Sequence, residues 1–117
     1  MIYDDLLAVP YKENGRDMSG MDCYGFAIEC FSRVGKKLKD ILAKPDGELE
    51  EYINNLNVKI IPEPRTNCGV QFHGSMGLHI GIMLYNREVL HMTKWGVKIT
   101  PLICLNEPRF FEVTDER

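Results

Sequence analysis

Residues 22–35 read DCYGFAIECFSRVG and carry the strongest helix signal in the chain. Apolar side chains recur there at steps of three and four residues, the spacing of a helix with one buried face. Asp22 and Ser19 are both suited to cap the start, and Gly35 supplies a C-terminal stop. Lysines just beyond that stop complement the helix dipole. The pattern predicts a helix that begins at Cys23 and packs one face into a core.

The chain changes character on either side of this helix. The segment up to Gly20 is interrupted by Pro and Gly and reads as a loop-rich lead-in with one helical turn at residues 4–9. Residues 38–56 are polar, with a short surface helix expected at residues 48–55. Later segments are β-branched and aromatic, and the predicted strands are residues 58–61, 70–73, 78–85, 88–92, 97–100 and 110–113. Helices followed by strands, without βαβ alternation, predict an α+β fold with an antiparallel sheet.

Length and composition indicate one globular domain spanning residues 1–117. Apolar residues make up 44% and charged residues 26%, which excludes wholesale disorder. No stretch approaches the roughly 18 apolar residues of a membrane span, and acidic residues stand where a secretory leader would be basic and then apolar. We therefore expect no membrane association and a protein that is cytoplasmic as synthesised. A net charge of −3 without a dense basic run argues against nucleic acid as a partner.

The four cysteines lack the short paired spacing of zinc ribbons and thioredoxin motifs. Without a leader the expected compartment is reducing, so we expect mostly free thiols in the core. A zinc site could in principle combine Cys68 with the histidines, but the spacings match no familiar ligand pattern. The sequence therefore predicts no metal site.

Cys23 is the first candidate for chemistry, because it falls at the first turn of the predicted helix. A helix N-terminus carries partial positive charge and free N–H groups, which lower a thiol pKa and favour the thiolate. The same N–H groups can hold the oxyanion of a tetrahedral intermediate. Most free cysteines are small buried hydrophobes, and for Cys23 alone that alternative stays open.

His79 and His91 supply the base that a cysteine nucleophile requires. His79 alternates with apolar residues on one predicted strand, and His91 lies on the next. In an antiparallel pair of strands, the numbers of directly opposite residues add up to a constant. The His79 and His91 rings lie on the same face of the hairpin only if that constant is even. We therefore predict a three-residue loop at residues 86–88, which places Met83 opposite His91. Taken singly, each histidine is more often an ordinary strand residue than a catalyst.

Together these residues resemble the NlpC/P60 family of cysteine peptidases. The family pattern is a tyrosine, then Asp-Cys-Ser-Gly-Phe at a helix start, then His-x-Gly-Ile on a strand and a second histidine on the following strand. The resemblance extends over residues 10–97. The matching segments here are Tyr11, Asp22-Cys23-Tyr24-Gly25-Phe26, His79-Ile80-Gly81-Ile82 and Val89-Leu90-His91.

The resemblance implies a papain-like α+β domain in which N-terminal helices pack on an antiparallel β-sheet. It implies that Cys23 is the nucleophile, His79 the general base and later acid, and His91 the third, orienting residue. It places Tyr11 and Asp22 on the oxyanion and substrate side of the site, with the Tyr11 hydroxyl and the Cys23 N–H as oxyanion donors. This mechanism needs no metal or organic cofactor.

The resemblance also names the substrate, which would be the stem peptide of bacterial peptidoglycan, cut typically between D-glutamate and a diamino acid. Tyr24 stands where the common pattern has serine, and Gly15-Arg16-Asp17 lies upstream. This variant is similar to versions carried in tail proteins of tailed phages, which implies phage tail proteins as partners and a place in the virion. The alternatives are an amidase or acyltransferase of the same fold acting on another substrate, and a non-catalytic tail-assembly or wall-binding module.

Three further side chains have competing interpretations. His73 is either a third imidazole near the site or, as we favour, a surface residue. Phe72 and Trp95 either line a substrate groove or fill the core, and the core is the better expectation. Arg16 could contact a charged substrate or pair with Asp17. The segment at residues 36–63 carries no motif.

Overall fold

A computed structural model describes residues 2–40, 57–74 and 77–114. In that part of the chain one α-helix packs on a mostly antiparallel sheet, which confirms the predicted α+β class. Short 3₁₀ turns lie at Asp4–Leu6 and Leu102–Cys104. The helix and strands are β1 (Arg16–Asp17), β2 (Gly20–Met21), α1 (Cys23–Arg33), β3 (Val58–Ile61), β4 (Gly69–Gly74), β5 (Gly77–Met83), β6 (Glu88–Thr93), β7 (Gly96–Pro101) and β8 (Asn106–Val113).

Helix α1 begins at Cys23 as predicted. Its N-cap is Asp22, whose backbone is extended and whose carboxylate accepts a hydrogen bond from the Gly25 N–H. At the other end Gly35 has a φ of 79°, and the N–H groups of Gly35 and Lys36 return to carbonyls of the last turn. This is the Schellman arrangement, in which a residue in the left-handed region ends the helix and favours glycine.

The main sheet has six strands in the order β3-β8-β4-β5-β6-β7, and every neighbouring pair is antiparallel. Side chains alternate between its two faces. One face packs against α1 and forms a core that includes Ile82, Leu90 and Phe111. The opposite face forms a second core that includes Val70, Phe72, Met83 and Val89. The helix therefore covers one side of the sheet only.

The β5–β6 hairpin has the predicted parity but not the predicted register. Gly81 pairs with His91 and Met83 with Val89, so paired numbers have an even sum and His79 and His91 share a face. The expectation that Met83 lies opposite His91 is wrong. The loop has three residues, but they are residues 85–87, because Arg87 takes up a left-handed φ of 62° and the Leu84 N–H donates to the Glu88 carbonyl at 2.8 Å.

One structural element was not predicted, and one predicted element lies outside the described residues. The β1–β2 hairpin, which leads into α1, was not predicted, because strands of two residues are too short to show a period. The expected surface helix at residues 48–55 lies outside the described residues. Within the described residues, no helix combines the length and the apolar character needed to cross a bilayer.

Candidate active site

The N-terminus of α1 is held in place by Asp22. One carboxylate oxygen accepts from the Gly25 N–H at 2.7 Å and from Arg16 Nη1 at 2.8 Å, and the other accepts from the Asn14 N–H at 3.2 Å. Asp22 was placed on the oxyanion and substrate side by resemblance. In the structure its oxygens are engaged with the protein, and its contribution is to fix the turn that carries Cys23.

Arg16 ties the β1–β2 hairpin to this turn. Besides Asp22, its guanidinium donates to the Gly15 carbonyl at 2.8 Å and to the Asp40 carboxylate at 3.1 Å. From the sequence, Arg16 could pair with Asp17 or contact a charged substrate. In the structure its guanidinium pairs with Asp22 and Asp40 and not with Asp17. Gly25 allows the close approach, because a Cβ there would lie 2.3 Å from the Gly15 carbonyl oxygen.

The thiol of Cys23 lies where strands β5 and β6 separate. Since the Leu84 N–H bonds to β6, alternation directs the N–H groups of Ile82 and Ile80 to the same side of β5. Among the described residues, however, the β5–β6 ladder ends at the pair Gly81–His91. The Ile80 N–H instead lies close enough to the Cys23 sulfur to lower the pKa of the thiol. The thiol therefore lies near the peptide unit that joins His79 to Ile80, beyond the last described β5–β6 pair.

Burial sets the protonation state of this thiol. It raises the pKa of Cys23 above the ordinary value of 9.0, and the Asp22 carboxylate raises it further. The N–H groups of Ile80, Tyr24 and Cys23 lower it, with a smaller effect. The N–H groups at the start of α1 lower the pKa of the thiol as we expected, but burial outweighs them, so the thiolate that we expected them to favour is not the predominant form at neutral pH. At neutral pH the nucleophile candidate is a thiol whose N–H contacts would stabilise the anion once it forms.

His79 projects from the face of the sheet opposite α1. It pairs with Phe72 on the neighbouring strand β4, and the two rings stack with centroids 5.7 Å apart and an interplanar angle of 19°. Its Nδ1 is buried and has no hydrogen-bond partner among the described residues. Burial lowers the pKa of His79 below 6.5, so the imidazole is neutral at pH 7 and able to accept a proton.

His91 is the more deeply buried of the two histidines, with 6% of its surface exposed. Its Nε2 lies 2.9 Å from the Thr100 hydroxyl on β7, and its buried Nδ1 has no partner in the described part of the chain. Burial, with smaller effects from His79 and Lys98, lowers the pKa of His91 to about 4. The structure thus brings both imidazoles to one face, where the Phe72 ring contacts each of them, and gives His91 a hydrogen bond to Thr100.

Tyr11 lies next to the Cys23 turn. Its segment forms a parallel bridge with Met21, and the Met21 N–H donates to the Pro10 carbonyl at 3.0 Å. Desolvation raises the pKa of the Tyr11 phenol, and the charges of Glu13, Asp22 and Cys23 add to that effect. Tyr11 is 37% exposed, so its hydroxyl remains a neutral donor that substrate can reach.

Among solved structures, the NlpC/p60 domain of the peptidoglycan hydrolase SagA has a similar architecture. It aligns with a TM-score of 0.58 at 22% sequence identity, over 95% of this chain and 91% of the SagA domain chain. The fold is of the NlpC/p60 type. No family model and no curated protein matches the sequence. The structural likeness to the SagA domain confirms the papain-like fold that the motif implied. At 22% identity this likeness shows the fold alone.

The remaining side chains considered from the sequence differ in their burial and contacts. His73 is exposed on the other face of β4 and pairs with Glu107 at 3.4 Å, in line with the favoured surface role. Phe72 is buried as expected, whereas Trp95 is 84% exposed, so the expectation that it fills the core is wrong. The four cysteines are free thiols, and Cys104 is exposed. In the described ranges no group of His, Cys, Asp and Glu side chains is arranged to hold a metal ion.

Sequence reasoning missed Thr100 and the contacts of Phe72. Thr100 pairs with Val89, so it shares a face with His91, but this follows only from the register of β6 against β7. Phe72 could have been found from the β4–β5 register, which sets it opposite His79. What the sequence did locate is a thiol at the start of α1, two neutral imidazoles on one face of β5 and β6, and a phenol beside the turn that precedes α1. That set can carry out acyl transfer by a nucleophilic sulfur.

Proposed function

We propose that the protein is a cysteine peptidase that hydrolyses amide bonds in the stem peptides of bacterial peptidoglycan. The observation that carries the proposal is that the Cys23 thiol at the start of α1 lies close enough to the Ile80 N–H for that group to lower its pKa, at the point of β5 that adjoins His79 in sequence and where the β5–β6 pairing has ended. The substrate class is supported by the motif resemblance and by the likeness of the fold to a domain of a peptidoglycan hydrolase.

The reaction begins with a neutral pair. Because burial raises the pKa of Cys23 and lowers that of His79, the thiol keeps its proton until substrate binds. The sulfur attacks the amide carbonyl carbon and forms an S–C bond while the thiol proton passes to the His79 imidazole. The carbonyl π electrons move to oxygen and give a tetrahedral oxyanion.

The oxyanion requires donors near the attacking sulfur. The Cys23 N–H lies at the start of α1, where backbone N–H groups have no partner within the helix, and it lowers the pKa of the thiol. The exposed Tyr11 phenol is the second donor. Preorganised donors of this kind contribute about 3–4 kcal/mol each to transition-state stabilisation.

Collapse of the intermediate breaks the C–N bond, and the His79 imidazolium protonates the departing amine. The resulting thioester on Cys23 is attacked by water, from which His79 removes a proton, and the thiol is regenerated. We assign His91 the third position, in which it supports the His79 imidazolium electrostatically while Thr100 holds its ring.

The test is incubation with purified muropeptides, followed by mass spectrometry of the products. The expected result is a shortened stem peptide with wild type and with Cys104→Ser, and no product with Cys23→Ala. Cys104→Ser is the matched control because Cys104 is a free, exposed thiol. Turnover that survives in Cys23→Ala would contradict the proposal.

Two outcomes would point to the alternatives. Intact muropeptides together with hydrolysis of other small amides or thioesters by wild type, but not by Cys23→Ala, would indicate an amidase or acyltransferase. No turnover of either kind, with iodoacetamide labelling of Cys23 equally slow in wild type and His79→Ala, would indicate a non-catalytic module. Association with phage tail proteins stays a prediction from the Tyr24 variant of the motif.

A further inference from the structure

His79 lacks a hydrogen bond at its buried ring nitrogen. Its Nδ1 has no partner among the described residues. The Nε2 of His91, the residue assigned to orient it, is directed at Thr100. An imidazole without such a hydrogen bond can rotate about its side-chain torsions, so its orientation must be restricted by packing.

The Phe72 ring restricts it from one side. It stacks on His79 with centroids 5.7 Å apart, and it meets His91 edge-on at 5.1 Å and 83°. Phe72 is itself 4% exposed and belongs to the core that includes Val70, Met83 and Val89. Because that core is packed, the phenyl ring is a fixed surface against which the imidazole lies.

Gly74 restricts the ring from the end of β4. A Cβ built on Gly74 would lie 2.2 Å from His79 Cδ2 and 2.6 Å from Nε2, and its three nearest atoms all belong to the His79 ring. The φ of Gly74 is not in the left-handed region, so the backbone would accept alanine. A side chain at position 74 would have to occupy the space that the His79 imidazole fills.

We propose that Phe72 and Gly74 are positioning residues for His79, which fix the orientation of its imidazole by packing instead of by a hydrogen bond. The proposal rests on the function assigned to His79 above. A general base must be held within about 0.5 Å and 10–20° of the productive geometry, and restriction on two sides of the ring can achieve this without a polar partner.

The first test is a double-mutant cycle on stability, which needs no enzymatic assay. Gly74→Ala is expected to lower the urea midpoint in the wild-type background and to have little effect in His79→Ala, because the three atoms nearest to the added Cβ all belong to that ring. A matching imidazole NMR spectrum should show displaced His79 ring signals in Gly74→Ala. Equal midpoint losses in the two backgrounds, or unchanged midpoint and ring signals in Gly74→Ala, would overturn the proposal.

The second test separates positioning from general structure. Gly74→Ala and Phe72→Leu are expected to lower kcat at least tenfold with KM within about twofold, and to move the acid limb of the pH profile. Phe110→Leu is the control, because Phe110 packs on the same core without ring contact to either histidine among the described residues. Equal losses of kcat in Phe72→Leu and Phe110→Leu would show that Phe72 acts only through stability.

The two tests also distinguish this proposal from the assigned function. If wild type cleaves no muropeptide but the stability cycle still shows coupling, the packing of His79 stands and the peptidase assignment fails. If wild type is active and the cycle shows no coupling, the positioning role alone is overturned.

Discussion

The two faces of the β5–β6 hairpin differ in what they contain. The face under α1 is apolar, with Ile82, Leu90 and Met92 fully buried. The opposite face interrupts an apolar core with two neutral imidazoles, and each has a buried ring nitrogen without a partner among the described residues. Unpartnered buried polar atoms destabilise a fold, so the second face carries an energetic cost that the first does not. This difference supports the proposal that one face maintains the fold and the other carries the chemistry.

The largest expected effect is on the histidine face. His79→Ala should lower kcat by about 10²–10⁴, the usual contribution of a general base. His91→Ala should lower kcat less, because His91 acts on His79 and not on substrate. Steady-state kinetics on a muropeptide measures both. Equal and negligible losses would show that this face carries no chemistry.

The next largest expected effect is a loss of stability from a substitution on the face covered by α1. There Phe111 packs against Phe31 with ring centroids 6.0 Å apart. Phe111→Leu should lower the free energy of unfolding by about 1–3 kcal/mol, since it leaves part of a buried volume empty. Urea unfolding measures this loss. The kcat of the folded fraction should stay within about twofold of wild type, and a large loss of kcat would mean that the two faces are not separable.

The smallest effect is a pH dependence of stability that originates in His91. Its pKa is lowered from 6.5 to about 4 on folding, so between these values the unfolded state binds more protons and stability falls as the pH falls. Unfolding free energies measured from pH 7 to pH 4 should show a steeper fall in wild type than in His91→Gln. Parallel curves would show that His91 is not buried in its neutral form.

Much of the fold was predictable because it rests on local patterns. The start of α1 follows from the Asp22 cap and apolar spacing, and the six long strands follow from β-branched runs. The exact β5–β6 register was not predictable, because the loop position depends on Arg87, a residue type that gives no signal for a positive φ.

The candidate site was predictable in its members but not in its electrostatics. Cys23, His79 and His91 could be chosen from motif and parity, yet the direction of the thiol pKa depends on tertiary burial in the gap beside Ile80. The contact of Phe72 with both imidazoles likewise depends on strand order, which no local pattern encodes.

The most direct test of the central claim is the mass of the protein itself after brief mixing with a muropeptide and an acid quench. The mechanism predicts a transient adduct equal to the acyl half of the substrate, mapped to Cys23 by peptide fragmentation and absent from Cys23→Ala. Product formation without any adduct at Cys23, at the same rate in wild type and Cys23→Ala, would contradict it.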